Sequence, residues 1–239
     1  MSTTSSGHFA PTSAAHATTP SRPAETTTPA ENAALAENAA LAEGTAEHPA
    51  RRPRLEVIVA STRPGRVGRV IADWFIGQAE QHGGFDIHVS DLAELNLPLL
   101  DEPEHPALRR YTKPHTLEWS ATIDAADAIV FVTPEYNHSF TAPLKNALDY
   151  LSKEWRDKPA AFVSYGGISS GTRAVYALRP VVSVLGMMAI NSAVAIPTRT
   201  HITPDKRFTS DPGLEASAKA VLDDLARLAP AFANLRAVK

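Results

Sequence analysis

Short apolar runs alternate with amphipathic helical patterns along the chain from residue 54 onward. The first run, Leu55 to Ala60, is rich in apolar residues and stops at a polar loop that contains glycine and proline, as a buried strand does where it enters a turn. Four further short apolar runs predict four more strands, at Phe85 to Val89, Ala128 to Val132, Ala160 to Ser164 and Ala189 to Ile196.

Apolar residues recur at helical spacing in the intervals between these runs. The stripe that follows the first strand lies within residues 67–81 and consists of Val70, Ile71, Trp74, Phe75 and Ala79. Two more stripes, one after the third strand and one near the C-terminus, consist of Leu144, Ala147, Leu148 and Leu151, and of Val221, Leu222, Leu225 and Leu228. Strands that alternate with helices predict an α/β fold with a parallel sheet covered on both faces.

Five such strands suit the flavodoxin-like three-layer fold, whose parallel sheet has the strand order 2-1-3-4-5. In this order the winding of the chain reverses between the first and third strands, and ligands bind there, beyond the carboxyl ends of the strands. The topology therefore directs attention to the loops that follow strands one, three and four.

The first 50 residues have a different composition, dominated by Ala, Thr, Ser, Pro and Glu, with Phe9 as their one aromatic residue. Such a segment cannot bury enough apolar surface to offset the entropy lost on ordering. We therefore expect a disordered tail over residues 1–53 and one folded domain over residues 54–239. A hexad that occurs at residues 31–36 and again at 37–42 has helix-forming composition, so a short docking helix is the alternative there.

Composition and charge exclude several classes of function. The chain has no cysteine, which excludes disulfides, iron–sulfur clusters, thiolate zinc sites and cysteine nucleophiles, and no compact metal-ligand spacing occurs. Redox chemistry must then come from a bound cofactor.

Five glutamates and one arginine lie in the first 50 residues, so the whole-chain charge of −3 leaves +1 for residues 51–239. A nearly neutral domain has no strong field for nucleic acid or membrane, and the lack of a signal-peptide pattern or a spanning segment predicts a cytoplasmic protein.

The loop after the first strand, residues 61–68, reads Ser-Thr-Arg-Pro-Gly-Arg-Val-Gly. It combines hydroxyls, guanidinium groups and glycines with the free amides of a helix N-terminus, and together these groups suit a phosphate. The alternative is an ordinary polar turn with solvated arginines. Because the loop lacks the Gly-Lys-Ser/Thr ending of a nucleotide-triphosphate loop, the phosphate is expected to be held and not transferred.

The loops after the third and fourth strands, residues 133–139 and 165–171, contain tyrosines and paired glycines. Amides of such loops can bind the polar edge of a flat heterocycle while a tyrosine or an apolar side chain contacts its face. FMN has both a phosphate and such a ring. The alternative is that these residues only shape turns and that Tyr136 packs on the surface.

Three stretches that follow the predicted strands match a known family in order and position. They are Ala60 to Gly68, then Pro134-Glu135-Tyr136-Asn137 continuing to Pro143-Leu144-Lys145-Asn146-Ala147-Leu148-Asp149, and then Tyr165-Gly166-Gly167. Together they resemble the NADPH-dependent FMN reductase family over roughly residues 54–196. The resemblance implies a flavodoxin-like homodimer or homotetramer that binds FMN and passes electrons from NADPH or NADH to free flavin, a quinone or a similar small acceptor.

The resemblance also implies site residues. FMN-phosphate contacts carry over to Ser61, Thr62, Arg63, Arg66, Val67 and Gly68, and ring contacts to Pro134, Glu135, Tyr136, Asn137, Tyr165, Gly166 and Gly167. The chain departs from the family at residues 66–68, where a serine and an asparagine are frequent, so phosphate contacts there are expected to shift to Arg66 and to backbone amides. No side chain is assigned as acid or base, and Tyr136 and His138 are candidates for lining the acceptor pocket.

These observations predict an NAD(P)H-dependent FMN or quinone reductase. The alternative is a non-enzymatic flavin-binding electron carrier or redox-sensing module, although a carrier that docks through charge is usually strongly acidic, unlike this domain. Two helices, around Leu144 to Leu151 and Thr172 to Leu185, are candidates for a dimer face.

Overall fold

The five predicted strands form one parallel sheet in the order β2-β1-β3-β4-β5, which confirms the flavodoxin-like topology. The structure is a computed structural model and describes residues 51–238. Its strands and α-helices, in chain order, are β1 (Arg54–Val59), α1 (Gly68–His82), β2 (Asp86–Asp91), α2 (Leu92–Leu95), α3 (Pro114–Ala125), β3 (Ala128–Pro134), α4 (Ala142–Asp149), β4 (Pro159–Gly166), α5 (Thr172–Val184), β5 (Met188–Pro197), α6 (Thr198–His201) and α7 (Pro212–Ala237). Single 3₁₀ turns at Pro106–Leu108 and Lys153–Trp155 precede α3 and β4.

The tail predicted over residues 1–53 lies almost entirely outside the described residues, and so does its hexad repeat. Its predicted disorder therefore stays a prediction. Residues 51–53 lead irregularly into β1, which begins at Arg54.

Two apolar cores cover the two faces of the sheet. Successive side chains of a strand point to opposite faces, so Val57 and Val59 of β1 pack with α1 and α7, whereas Ile58 packs with α3, α4 and α5. The predicted stripe of the C-terminal helix is confirmed, because Leu222 and Leu225 are buried in the first of these cores. Burial on both faces explains why the strands read as continuous apolar runs.

The second strand extends beyond its predicted end at Val89 and reaches Asp91. Apolar pattern alone could not show this, since Ser90 and Asp91 are polar yet buried. The Ser90 hydroxyl donates a hydrogen bond to Oε1 of Glu56 at 2.5 Å, so the neighbouring strand satisfies it in place of water. Register then places Asp91 beside Val59, at the carboxyl edge of the sheet.

Within residues 51–238, no helix has the length and apolar character needed to cross a membrane.

Candidate cofactor site

The loops that follow β1, β3 and β4 meet at the carboxyl edge of the sheet, as the topology predicts. Strand β3 lies between β1 and β4, and its last residue, Pro134, is level with Tyr165 at the end of β4. The backbone amide of Glu135 donates to the carbonyl oxygen of Tyr165 at 3.0 Å, so pairing continues into the loops. The arrangement brings the three candidate binding segments to one side of the domain.

The side chain of Arg66 folds back under the first loop. Its guanidinium donates to both carboxylate oxygens of Asp91, at 2.5 and 2.8 Å, and to the carbonyl oxygen of Ser61 at 2.8 Å. The hydrogen bonds to Asp91 raise the pKa of Arg66. This bidentate pair neutralises a buried carboxylate and fixes the loop. The sequence analysis expected Arg66 and the nearby backbone amides to contact the phosphate. Because the Arg66 side chain is bound to Asp91, only the backbone amides remain available for that contact in this structure.

Helix α1 begins at Gly68 without a side-chain cap, because the preceding residue is Val67. The amides of a first helical turn have no partner within the helix, so this end is open to an anion. Gly68 is required by a close approach: a Cβ atom there would lie 2.5 Å from the hydroxyl oxygen of Tyr165 and 3.3 Å from Cβ of Ser61. The start of the helix, the first loop and the end of β4 are therefore in contact.

The hydroxyl of Tyr165 is buried and has no hydrogen-bond partner within the described part of the chain. The hydroxyl of Ser61 is nearby but lies 3.1 Å from the hydroxyl of Tyr136, with which it pairs. Burial raises the pKa of Tyr165, whereas the nearby Ser61 hydroxyl lowers it. Because the hydrogen bond of Ser61 is made to Tyr136, the Tyr165 hydroxyl itself is left without a partner of hydrogen-bond geometry. Buried polar groups in native proteins are nearly always hydrogen-bonded, so this hydroxyl is suited to a polar ligand atom beside the phosphate loop.

Residues Asn137 and His138 form a tight turn in the second loop. Both have positive φ angles, of 48° and 67°, and the backbone groups of Tyr136 and Ser139 exchange two hydrogen bonds across the turn. Left-handed conformations at both central positions define a type I′ turn. The turn leaves Tyr136 38% exposed at the edge of the cleft described below.

Glu135 ties the second loop to the third. Its carboxylate accepts hydrogen bonds from the Ser169 hydroxyl at 2.5 Å and from Nε of Arg173 at 2.7 Å. Burial opposes ionisation of Glu135, but the hydrogen bonds from Ser169 and Arg173 outweigh it and lower its pKa. The carboxylate is thus ionised and paired, and it sets the spacing of the two loops.

The loops enclose an open cleft of about 380 Å³. Its walls include seven residues predicted from the sequence, namely Arg63, Val67, Pro134, Glu135, Tyr136, Tyr165 and Gly166. Thr62 lines a neighbouring cleft of about 420 Å³ with Leu92, Leu97 and Pro143. Of the other predicted residues, Ser61 and Gly68 are buried next to Tyr165, Arg66 faces Asp91, Asn137 and His138 form the exposed turn, and Gly167 is exposed.

Sequence reasoning missed the part of the cleft that follows β5. Thr198, Arg199 and Ile202 contribute to its wall, and the Thr198 hydroxyl donates to the carbonyl oxygen of Gly166 at 3.0 Å. The signal was available, because polar residues that directly follow a fifth parallel strand reach the same edge of the sheet.

The residues present fit FMN. An uncapped helix end and Arg63 suit its phosphate, and the cleft beside them offers tyrosine side chains and loop amides to a polar-edged ring, with the unpaired Tyr165 hydroxyl buried directly behind the helix end. Among residues 51–238, no cluster of three or more His, Asp or Glu side chains could hold a metal ion.

Known proteins with similar sequences and folds agree with this fit. A model of the NADPH-dependent FMN reductase family matches residues 53–201. An NAD(P)H-dependent FMN reductase from Schizosaccharomyces pombe is 38% identical over 150 residues, which cover 62% of this chain and 73% of that protein. An NADPH:quinone oxidoreductase from Arabidopsis thaliana is 36% identical over 131 residues, which cover 54% of this chain and 62% of that protein.

A solved structure shares the fold. The flavoenzyme NAD(P)H:(acceptor) oxidoreductase FerB from Paracoccus denitrificans matches with a TM-score of 0.61 at 20% identity, over 75% of this chain and 98% of that one. The family match spans more than half of the present chain and contains all three loops of the cleft. The chain belongs to the NADPH-dependent FMN reductase family, a family of oxidoreductases that use FMN and NAD(P)H.

Proposed function

We propose that this protein binds FMN in the cleft between the three loops and uses it to reduce a small acceptor, a free flavin or a quinone, with NADPH or NADH. The observation that carries the proposal is the contact between an uncapped helix N-terminus and the buried, unpaired hydroxyl of Tyr165, a residue that also lines the cleft. A ligand with a phosphate and a polar-edged ring, such as FMN, would occupy the helix N-terminus and the cleft at the same time.

In this proposal the residues of the first loop hold the phosphate. Ser61, Thr62, Arg63 and the amides of residues 66–68 provide donors, while the side chain of Arg66 keeps the loop in shape through Asp91. Pro134 to Asn137 and Tyr165 to Gly167 contact the ring. The Glu135 ion pair maintains the distance between these two segments.

Bound FMN would supply the redox chemistry, in which a hydride is taken from the nicotinamide and two electrons are given to the acceptor. The chain contributes binding and orientation, and its amides face the polar edge of the ring. Tyr136 and His138 stand on the exposed side of the cleft, where they could contact a donor or an acceptor. The nicotinamide supplies two electrons and one proton as the hydride, and solvent at the open cleft would supply the second proton that the reduced acceptor takes up. No residue is therefore assigned as acid or base.

A flavin or quinone acceptor is supported by two observations. The cleft is open to solvent, with Tyr136 exposed at its rim, so a flat acceptor can approach without a lid. The relative from Arabidopsis thaliana is named for quinone reduction and the one from Schizosaccharomyces pombe for FMN reduction. Family membership favours an enzyme over the carrier or sensor that the sequence left open.

The decisive experiment follows the flavin band of the purified protein with FMN under anaerobic conditions after addition of NADPH or NADH. We expect bleaching, followed by recovery when a water-soluble naphthoquinone or free flavin is added. Free FMN at the same concentration without protein is the control, since the slow uncatalysed reaction must be subtracted. Binding of FMN without bleaching by either nucleotide would refute the enzymatic proposal, and absence of FMN binding would refute the cofactor site.

We also propose that the protein is a homodimer or homotetramer. Support comes from α5, whose outer face exposes Tyr176 by 74% and Val184 by 84%, with Pro180 between them. An apolar stripe on a surface helix favours burial against a second surface. Light scattering should show at least a dimer for the wild type and a lower mass for the double variant Tyr176→Glu, Val184→Glu. A monomeric wild type would contradict the proposal.

The proposed site of action is the cytoplasm, where an enzyme of this kind has access to reduced nicotinamide nucleotides. Cell fractionation with an antibody to the folded domain tests it, and recovery in another compartment would refute it.

A further inference from the structure

A short hairpin, residues 202–208, continues from the part of the cleft wall that follows β5. Ile202 and Phe208 pair across it, the amide of Thr203 donates to the carbonyl oxygen of Arg207 at 3.0 Å, and the amide of Lys206 donates to that of Thr203 at 2.8 Å. Lys206 lies at the tip with a positive φ of 62°. The hairpin, residues 202–208, thus has a defined backbone that holds this lysine in place.

The hairpin is attached to the helix whose N-terminus faces the phosphate loop. The ring of Phe208 packs on Trp74 of α1, with the ring centroids 5.0 Å apart. On its other side the backbone amide of Thr209 donates to the carbonyl oxygen of His201 at 2.9 Å. These contacts couple the position of the hairpin to that of α1.

The ammonium group of Lys206 lies against the first loop. Its Nζ atom is 2.8 Å from the position that a Cβ atom on Gly65 would occupy. Gly65 has a positive φ of 72° and no side chain, and it therefore admits the lysine. The segment that carries Lys206 begins where the family match ends, at residue 201, so the resemblance could not indicate it.

This ammonium has no countercharge in the described structure. The neighbouring Arg207 pairs with Asp205 at 2.5 Å, and Arg66 pairs with Asp91, whereas no side-chain hydrogen bond or ion pair of Lys206 occurs within residues 51–238. Gly65 lies in the loop that leads into the N-terminus of α1, so the exposed Lys206 ammonium adds an unpaired positive charge to the loop that also carries Arg63. An anion bound at this loop would give Lys206 its countercharge.

We propose that Lys206 binds the phosphate monoester of FMN at the first loop. This inference rests on the proposed function, because it assumes that FMN occupies the cleft. It adds a contact from the C-terminal segment to a site whose other wall residues end at Ile202. A second phosphate monoester, the 2′-phosphate of NADPH, has the same chemistry, and the test separates the two.

The test compares FMN with riboflavin, which has the same ring but no phosphate. Dissociation constants are measured by flavin fluorescence on the full-length chain freed of flavin, for the wild type, Lys206→Met, Lys206→Arg and Arg207→Met. Methionine is unbranched like lysine and one atom shorter, and it places the same backbone demand at φ 62°. Arg207→Met removes from the same hairpin a charge that is already paired.

We expect Lys206→Met to weaken FMN binding by about fivefold at low salt, as for one exposed charge-assisted contact, and to leave riboflavin binding unchanged. Lys206→Arg and Arg207→Met should remain within about twofold of the wild type. Unchanged FMN binding in Lys206→Met, equal loss for both flavins, or an effect confined to the KM for NADPH would each refute the contact. A wild type that binds neither flavin would instead refute the proposed function.

Discussion

Tyr165→Phe separates the structural and ligand-binding contributions of one hydroxyl. In the described chain this hydroxyl is buried beside Gly68 and Ser61 and has no hydrogen-bond partner. A buried hydroxyl without a partner costs about 1–3 kcal/mol. The phenylalanine keeps the ring in the core and removes that cost. We therefore expect the free energy of unfolding of the flavin-free protein to rise by about 1 kcal/mol.

Binding of FMN should respond in the opposite direction. If the Tyr165 hydroxyl gains its partner from the cofactor, the variant loses one neutral hydrogen bond of about 0.5–1.5 kcal/mol in the complex. This corresponds to about 2- to 13-fold weaker FMN binding. Urea unfolding of the flavin-free protein measures the first effect, and fluorescence titration with FMN measures the second.

Tyr111→Phe is the matched control. The hydroxyl of Tyr111 donates to Oε1 of Glu154 at 2.8 Å, and Tyr111 does not line the cleft, so this variant should lose stability and keep its FMN affinity. A Tyr165→Phe variant that unfolds more easily than the wild type would refute the first effect, since the hydroxyl would then have a partner in the free protein. An unchanged dissociation constant of FMN would refute the second.

Three further predictions concern charged groups. Arg66→Met removes the bidentate partner of the buried Asp91 and leaves it a longer contact with Arg69 at 3.8 Å. The free energy of unfolding should fall by about 2 kcal/mol in urea titrations, and a loss below about 1 kcal/mol would contradict the role assigned to the pair. Glu135→Gln should weaken FMN binding by about tenfold in fluorescence titrations. It should also lower the free energy of unfolding by about 1–2 kcal/mol, because the Glu135 side chain is only 6% exposed and accepts hydrogen bonds from Ser169 and Arg173; an unaltered FMN affinity would count against the loop connection. Burial lowers the pKa of Lys158 to about 8, whereas an unfolded lysine titrates near pH ~10.4. Between these values the unfolded state binds more protons, so wild-type stability should rise with pH relative to Lys158→Met, and parallel stability profiles of the two proteins would refute this.

The sheet could be predicted from the sequence because both of its faces are buried. Each strand then appears as an uninterrupted apolar run, and the alternation with helices determines a parallel topology. The loops of the site followed from that topology, together with the motif that begins at Pro134. The end of β2 was missed because the apolar pattern stops at Val89, whereas Ser90 and Asp91 are stabilised by polar partners on other segments.

Partner choice within the site could not be predicted in the same way. The pairing of Arg66 with Asp91 joins residues 25 apart and depends on the register that sets Asp91 level with Val59. Sequence spacing contains no information on that register. The same limitation applies to Lys206, whose contact with the first loop results from the packing of Phe208 on Trp74. The residue types of the first loop therefore predicted a phosphate site. Only the three-dimensional structure shows that Arg66 is paired with a carboxylate, whereas Arg63 and Lys206 are not paired within residues 51–238.

The charge of the site differs from that of the domain. A balance of +1 over residues 51–239 predicts no strong overall field, yet Glu135 in the wall of the cleft and Asp91 beneath the first loop are each paired with an arginine. Arg63 and Lys206 have no carboxylate partner in residues 51–238 and stand near the positive end of α1. This local excess acts over only about 8–10 Å at physiological salt. Affinity for FMN should therefore fall as ionic strength rises while affinity for riboflavin stays constant, because local pairing of charges, and not the net charge of the domain, selects the phosphorylated flavin.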